Sequence, residues 1–365
     1  MPESILITGG GGFIGSHVAD RLLAAGHRVR AFDNLTPQVH GGAGRPTYLA
    51  EDVELVVGDL RDREAVRQAL DGVDSIVHLA ARVGVGQSMY ELASYTAENS
   101  AGTAVLLEAL LDSPVRKLVV ASSMSIYGEG LYTPLQPEPR SREQLERGEW
   151  NPRGPNDEQL EPAPTPESKQ PELSSVYALT KYDQERLCLI FGEAYGVPSV
   201  ALRFFNVYGP RQALSNPYTG VLAIFAARLL NDRAPLVFED GLQRRDFVSV
   251  HDVARACEIA LTKDGADGLA VNIGSGRSVT VLEIAAKLAA ILDREIAPEI
   301  SGSYRFGDIR HCFADISLAR ETLGYEPEHE LEHGMRELAA WLEGQVATDR
   351  VDAAREELRS RGLTR

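Results

Sequence analysis

The stretch Ile5–His17, ILITGGGGFIGSH, sets Gly9, Gly12 and Gly15 at three-residue spacing between a β-rich run and an apolar-periodic one. Each glycine answers a physical demand. Gly9 permits a tight turn out of a strand, Gly12 lets the backbone approach a pyrophosphate, and Gly15 allows close helix-to-strand packing. The helix that follows would turn free N–H groups and the positive end of its dipole toward those phosphates. In it Ile14, Val18 and Leu22 recur every four residues, and Gly26 supplies the stop. Asp33 closes the next β-rich run, RVRAFD, 18 residues after Gly15. A carboxylate there accepts hydrogen bonds from both ribose hydroxyls of an adenosine and repels a 2′-phosphate, so the reading is NAD over NADP. The alternative is that Asp33 simply starts a turn. Asp59 and Leu60, at the end of a third β-rich run, would flank the adenine.

Outward from this loop, the first 125 residues alternate β-rich runs with helical ones. That rhythm predicts right-handed βαβ units and an α/β fold, a doubly wound parallel Rossmann sheet covered on both faces. Residues 129–173 break it. They hold nine of the chain's 19 prolines and almost no periodic apolar pattern, and read as a long insertion or loop near the mouth of the site. The expected division is a nucleotide-binding domain over 1–182, to which strands near 198–206 and 246–275 return. A smaller C-terminal α/β substrate-binding lobe covers most of 183–345, and a polar tail 346–365 follows as a surface helix or frayed end.

A length of 365 residues allows a large core. The formal charge of −16 argues against nucleic acid or an anionic membrane as the main partner. Cys188, Cys257 and Cys312 are far apart and lack the spacing of a disulfide framework or zinc site, so no metal and a reducing, cytoplasmic compartment are expected. No apolar run is long enough for a membrane span, and the start leaves no room for a signal peptide.

In SSVYALTKYDQERL, Tyr177 and Lys181 stand one helical turn apart. Taken alone, the pair is either a base with its electrostatic partner or two residues of a wet helix face. The ordered strings TGGGGFIG, HLAA (His78–Ala81), SSMSIYG (Ser122–Gly128), YALTK and RFFNVYGP (Arg203–Pro210) are similar to the motifs of the extended short-chain dehydrogenase/reductases of the NDP-sugar epimerase/dehydratase type. The resemblance runs from about residue 4 to residue 342 and lapses across the insertion and the tail. It extends the cofactor set to Phe13, Ile14, Asn34, Leu79, Ala80 and Ala81, and to Asn99, which would lie near the cofactor or pack the sheet. It implies Tyr177 as the base taking a sugar hydroxyl proton, Lys181 as its electrostatic help and Ser123 as the aligning hydroxyl, with Ser122 as the alternative. Lowering a phenol's pKa by three units requires about 4 kcal/mol of preferential stabilisation of the phenolate.

Related 4,6-dehydratases place Asp and Glu directly after that hydroxyl, where this chain has Met124 and Ser125. The implied reaction is therefore 4-epimerisation: oxidation at C4, rotation of the keto sugar and re-reduction, with an NAD(P)-linked keto-sugar reductase as the rival. For the nucleoside diphosphate the resemblance points to Asn206, Arg245 (or its neighbour Arg244), Arg305 and Asp308, two guanidinium groups suiting a pyrophosphate and a carboxylate suiting ribose hydroxyls. Ser88 would touch the sugar, and Cys312 resembles a gate on sugar size. VGVGQSMY, GPRQALSNPYTG and GDIRHCFAD look most like the dTDP-L-rhamnose 4-epimerase branch, with UDP-hexose, UDP-N-acetylhexosamine and UDP-glucuronate as alternatives. Members of that branch often carry cysteine pairs in the insertion, and residues 129–173 have none. A homodimer through helices around 99–111 and 177–192 is also implied.

Overall fold

In the computed structural model, which describes residues 2–42, 44–212, 220–305, 308–343 and 351–364, one sheet dominates. It has seven strands: Ala270–Ile273, Ser199–Phe204, β5 (Lys117–Ser123), β4 (Ser75–His78), β1 (Ser4–Thr8), β2 (Arg28–Asp33) and β3 (Glu54–Val57), in that spatial order. Every neighbouring pair is parallel. Strand order reverses between β1 and β4, so the carboxyl ends of the strands open a crevice there, where α/β sheets bind ligands.

Side-chain alternation within β1 explains the two faces. Ile5 and Ile7 join Val18 and Leu22 of α1 (Phe13–Ala24), and Val253, Cys257 and Leu261 of helix Val250–Thr262, in one core. Leu6 points the other way, into a core with Val66, Leu106, Leu189 and Phe191. A third core, around Phe225, Leu288 and Leu338, belongs to helices Val221–Leu230, Val281–Ile291 and Leu331–Glu343 of the smaller lobe.

Three segments differ from the sequence reading in detail. Residue 182 falls inside the helix Val176–Tyr195. Within 246–275, only Ala270–Ile273 enters the main sheet, whereas Phe247–Ser249 pairs with Asn206–Tyr208 in a separate two-stranded ladder. The proline-rich segment contains an antiparallel hairpin, Leu131–Thr133 with Glu161–Ala163, and a helix Arg142–Glu146 capped by Ser141. Its order comes from partners far away in sequence, which local periodicity does not report. Of the tail, residues 346–350 and 365 lie outside the described residues, as do 213–219 of the GPRQALSNPYTG string. Helix Val351–Ser360 buries Leu358 against Gly86. No described helix is long and apolar enough to cross a membrane, and the three cysteines are buried free thiols.

Candidate active site

The turn after β1 has the backbone its glycines permit. Gly9 adopts φ +69°, a left-handed conformation costly for any residue with a Cβ. A Cβ on Gly15 would lie 2.3 Å from the Gly9 carbonyl oxygen, so α1 comes this close to the strand only with glycine there. Gly12 is the N-cap of α1 and has no side chain to satisfy the first-turn N–H groups, which leaves them for an anionic ligand. Tyr48 braces the loop from outside, its hydroxyl donating to the Gly11 carbonyl at 2.9 Å.

A cavity of about 440 Å³ opens from this turn. It is lined by Gly9, Gly12, Phe13, Ile14, Gly15, Asp33, Asn34, Asp59, Leu60, Leu79, Ala80 and Ala81, together with Ser122, Ser123, Tyr177 and Lys181. The glycine loop and the Tyr–Lys pair therefore share one space. Asp33 does two things at once. Its Oδ2 accepts the Gly11 N–H at 3.0 Å and its Oδ1 the Leu35 N–H at 2.9 Å, so the turn-starting alternative also holds, while the residue still lines the cavity. Asp59 is forked onto Arg61, which holds its carboxyl at about 2.

Asn99 is buried beneath the cavity wall, in a π-helical turn Thr96–Ala101. Its amide accepts the Arg82 N–H at 2.6 Å and donates to the Arg82 carbonyl at 3.1 Å and to Thr180 at 3.0 Å. It thus pins the chain just after HLAA. Arg82 itself lines the cavity, with its guanidinium paired to Glu91 and Glu98 and lying over the Tyr95 ring.

Helix Val176–Tyr195 delivers Tyr177 and Lys181 to the same wall, its first turn capped by Ser175, which accepts the Ala178 N–H. Tyr177 and Ser123 line the same cavity. Burial raises the phenol's pKa, and Ser123 opposes that rise. The two serines are thereby distinguished: Ser122 donates instead to Glu185 at 2.6 Å. Lys181 is buried and donates to Gln184 at 2.7 Å, and burial lowers its ammonium to about 8. The Gln184 amide nitrogen in turn reaches Thr103 at 2.8 Å and the Ala80 carbonyl at 3.2 Å, linking the lysine to the HLAA turn.

Of the predicted substrate residues, Arg245 lies on the strand Arg244–Arg245 and touches the chain just after Asp308, outside this cavity. Arg245 donates to the Arg310 carbonyl at 3.0 Å and to the Ile309 carbonyl. Arg305 lies over the Phe238 ring with its buried Nε unpartnered. Asp308, half-buried, accepts its neighbour's N–H from Ile309. Asn206 has a buried Oδ1 without a partner, an acceptor of the kind a ligand N–H satisfies. Ser88 is elsewhere: fully buried, it donates to the Val85 carbonyl and accepts the Tyr177 backbone N–H at 3.0 Å, standing behind the tyrosine. Gln184 was the one helper with a sequence signal, three residues past Lys181 on the same helix. Ser88's contact with Tyr177, 89 residues away, had none. Among the described residues no group of three His, Cys, Asp or Glu side chains is placed to hold a metal.

Comparison with known proteins agrees with this geometry. The model of the NAD dependent epimerase/dehydratase family matches residues 5–274. The chain is 37% identical to the dTDP-L-rhamnose 4-epimerase of Burkholderia thailandensis, over 93% of this chain and 95% of that one. It superposes on the UDP-glucose 4-epimerase of Thermotoga maritima, solved with UDP-glucose, with a TM-score of 0.78 and 32% identity, covering 93% of this chain and 98% of that one. The Thermus thermophilus UDP-glucose 4-epimerase, solved with NAD, gives a TM-score of 0.76 and 30% identity over 94% of this chain and all of that one (100%). A match across most of the chain, joined to the glycine turn and the Tyr–Lys helix facing one cavity, makes this chain a member of the NAD dependent epimerase/dehydratase family.

Proposed function

We propose that this enzyme is a nucleotide-sugar 4-epimerase acting on a dTDP-6-deoxyhexose, with dTDP-L-rhamnose as the first candidate. The observation that carries the chemistry is Tyr177 together with Ser123 and Lys181 on the wall of the cavity that the glycine turn also lines. The residues fit NAD: uncapped first-turn N–H groups for the pyrophosphate, Asp33 for the adenosine ribose and Asp59 with Leu60 beside the adenine. NAD held by these residues would supply the hydride acceptor and donor that oxidation and re-reduction at C4 require.

The chain's own groups do the rest. Tyr177 takes the C4 hydroxyl proton and gives it back, Ser123 aligns the reacting oxygen, and Lys181, anchored by Gln184, brings positive charge to the phenol's side. Met124 and Ser125 offer no acid–base pair for water loss, which favours epimerisation over dehydration. Asn206, Arg245, Arg305 and Asp308 are the proposed hold on the nucleoside diphosphate.

Two observations support an uncharged sugar. The relative at 37% identity acts on dTDP-L-rhamnose by its name. Among the described cavity-lining residues, the one arginine, Arg82, already has both terminal nitrogens paired to Glu91 and Glu98, so its charge is balanced before a uronate carboxylate enters. A desolvated, unpaired carboxylate is costly, and UDP-glucuronate is expected to turn over at least about a hundredfold more slowly than dTDP-L-rhamnose. Proton NMR of the two sugars, each incubated with the protein without added reductant, measures this. Equal conversion would remove the preference for a neutral sugar.

Asp33→Ala is expected to weaken NAD binding by about 10–100-fold, the worth of one or two charge-assisted hydrogen bonds, and to narrow the preference over NADP. Titration with both dinucleotides tests it, and unchanged NAD affinity sinks the ribose role. We also propose a homodimer through helices near 99–111 and 177–192. Leu179 and Ile190, eleven residues apart on one face of helix Val176–Tyr195, are 52% and 53% exposed, and Leu111 is 50% exposed.

A further inference from the structure

Residues 129–173 are built into the smaller lobe by backbone pairing and by buried charge. The Gly130 N–H donates to the His311 carbonyl at 2.8 Å and the Thr165 N–H to the Phe313 carbonyl at 2.8 Å, while Asp315 N–H returns to Thr165 at 3.0 Å. The segment therefore runs alongside residues 311–315. Beside this seam, Glu129 receives the backbone N–H groups of Arg310 at 2.7 Å and His311 at 3.1 Å. Arg140 reaches in with three hydrogen bonds, to Glu239 at 2.7 Å, the Trp150 carbonyl at 3.1 Å and the Asp308 carbonyl at 2.6 Å, and its Nε lies 3.8 Å from Glu129. Arg310, only 1% exposed, takes the other Glu239 oxygen at 2.8 Å and forks onto Asp240 at 2.6 and 2.9 Å.

Two features mark this cluster as a device for fixing geometry. Buried ion pairs add little net stability over apolar packing, but they hold one arrangement once every partner is satisfied. Glu239 also sits at φ +53°, a backbone conformation that persists only where the surroundings over-determine it. What is held is the backbone of Asp308, Arg310 and His311. The Ile309 and Arg310 carbonyls of the same stretch orient the Arg245 guanidinium.

We infer that the 129–173 segment is a positioning element for the nucleoside diphosphate, and that Arg140 is the residue through which it acts, fixing the Asp308 backbone. The inference rests on the substrate reading above. Arg140 touches no reacting atom, so its loss changes how well the nucleotide is gripped and leaves the C4 chemistry intact.

The test is calorimetric binding of dTDP to the NAD-loaded protein, together with steady-state kinetics. Arg140→Met is expected to weaken dTDP binding and raise KM by about 5–30-fold, with kcat within about twofold of wild type and NAD content unchanged. Arg140→Lys keeps a charge opposite Glu239 but has no second arm for the Asp308 carbonyl, so it is expected to fall between the two. Arg147→Met, which removes an exposed pair with Glu149 inside the segment, is the control and should bind dTDP as wild type does. Equal dTDP affinity in Arg140→Met overturns the inference. If that variant does not fold, wild-type affinity in Arg140→Lys overturns it. A fall in kcat with unchanged KM does so too. Wild-type protein that binds neither dTDP nor UDP overturns the substrate reading, and this inference with it.

Discussion

Tyr177→Phe is expected to lower kcat by roughly a thousandfold or more, within the range that a positioned proton-transfer group contributes. The substitution removes one oxygen and leaves the ring in place. A typical net hydrogen bond is worth about 1 kcal/mol, so the fold and the bound NAD should survive. Burial raises the phenol's pKa and Ser123 opposes that rise, on the wall of the cavity that the glycine turn also lines. Turnover followed by proton NMR, with NAD quantified after acid release, gives both numbers. A variant retaining more than a tenth of the wild-type rate would mean that another group carries the proton.

The second large effect is on stability. Arg203 and Glu185 form a forked pair at 2.7 and 2.9 Å with their side chains 8% and 1% exposed. Ser122 donates to the same carboxylate, and Arg203 continues to the Tyr127 hydroxyl at 2.9 Å and from there to Asn272 at 2.7 Å. Glu185→Ala leaves a buried guanidinium unpaired, and is expected to cost about 3–5 kcal/mol. Glu185→Leu combined with Arg203→Met removes both charges and should be less damaging than Glu185→Ala alone. Urea unfolding at matched slopes decides it. A single variant within about 1 kcal/mol of wild type would show that the pair is not the linchpin between the strand Ser199–Phe204 and the helix carrying Tyr177.

These two residues also show where the sequence was legible and where it was not. Tyr177 announces itself because Lys181 follows at one helical turn and the glycine loop stands in a recognisable place. The positive φ of Gly9 and the contact at Gly15 are demands that only glycine meets, so the loop is readable from composition and order alone. The Arg203–Glu185 pair spans 18 residues, and Arg140 meets Glu239 across 99. Such partners are chosen by tertiary packing, and no local period records them. The 129–173 segment shows no local period for the same reason: its strands and helix are only three to five residues long, and its order comes from the 308–315 chain it lies against. Ser88 reads as a polar residue in a glycine-rich loop, yet its hydroxyl is spent on the Tyr177 backbone. Asp33 reads as ribose ligand or as turn former, and its two oxygens do the second while the residue lines the space for the first.

The most direct test of reversible oxidation at C4 uses dTDP-L-rhamnose carrying deuterium at C4, incubated with the NAD-containing protein in ordinary water without added NADH. Full retention of the label at C4 in both epimers at equilibrium is the predicted result, since the hydride leaves and returns within one active site. Loss of the label to solvent, or no conversion until NADH is supplied, would contradict the account.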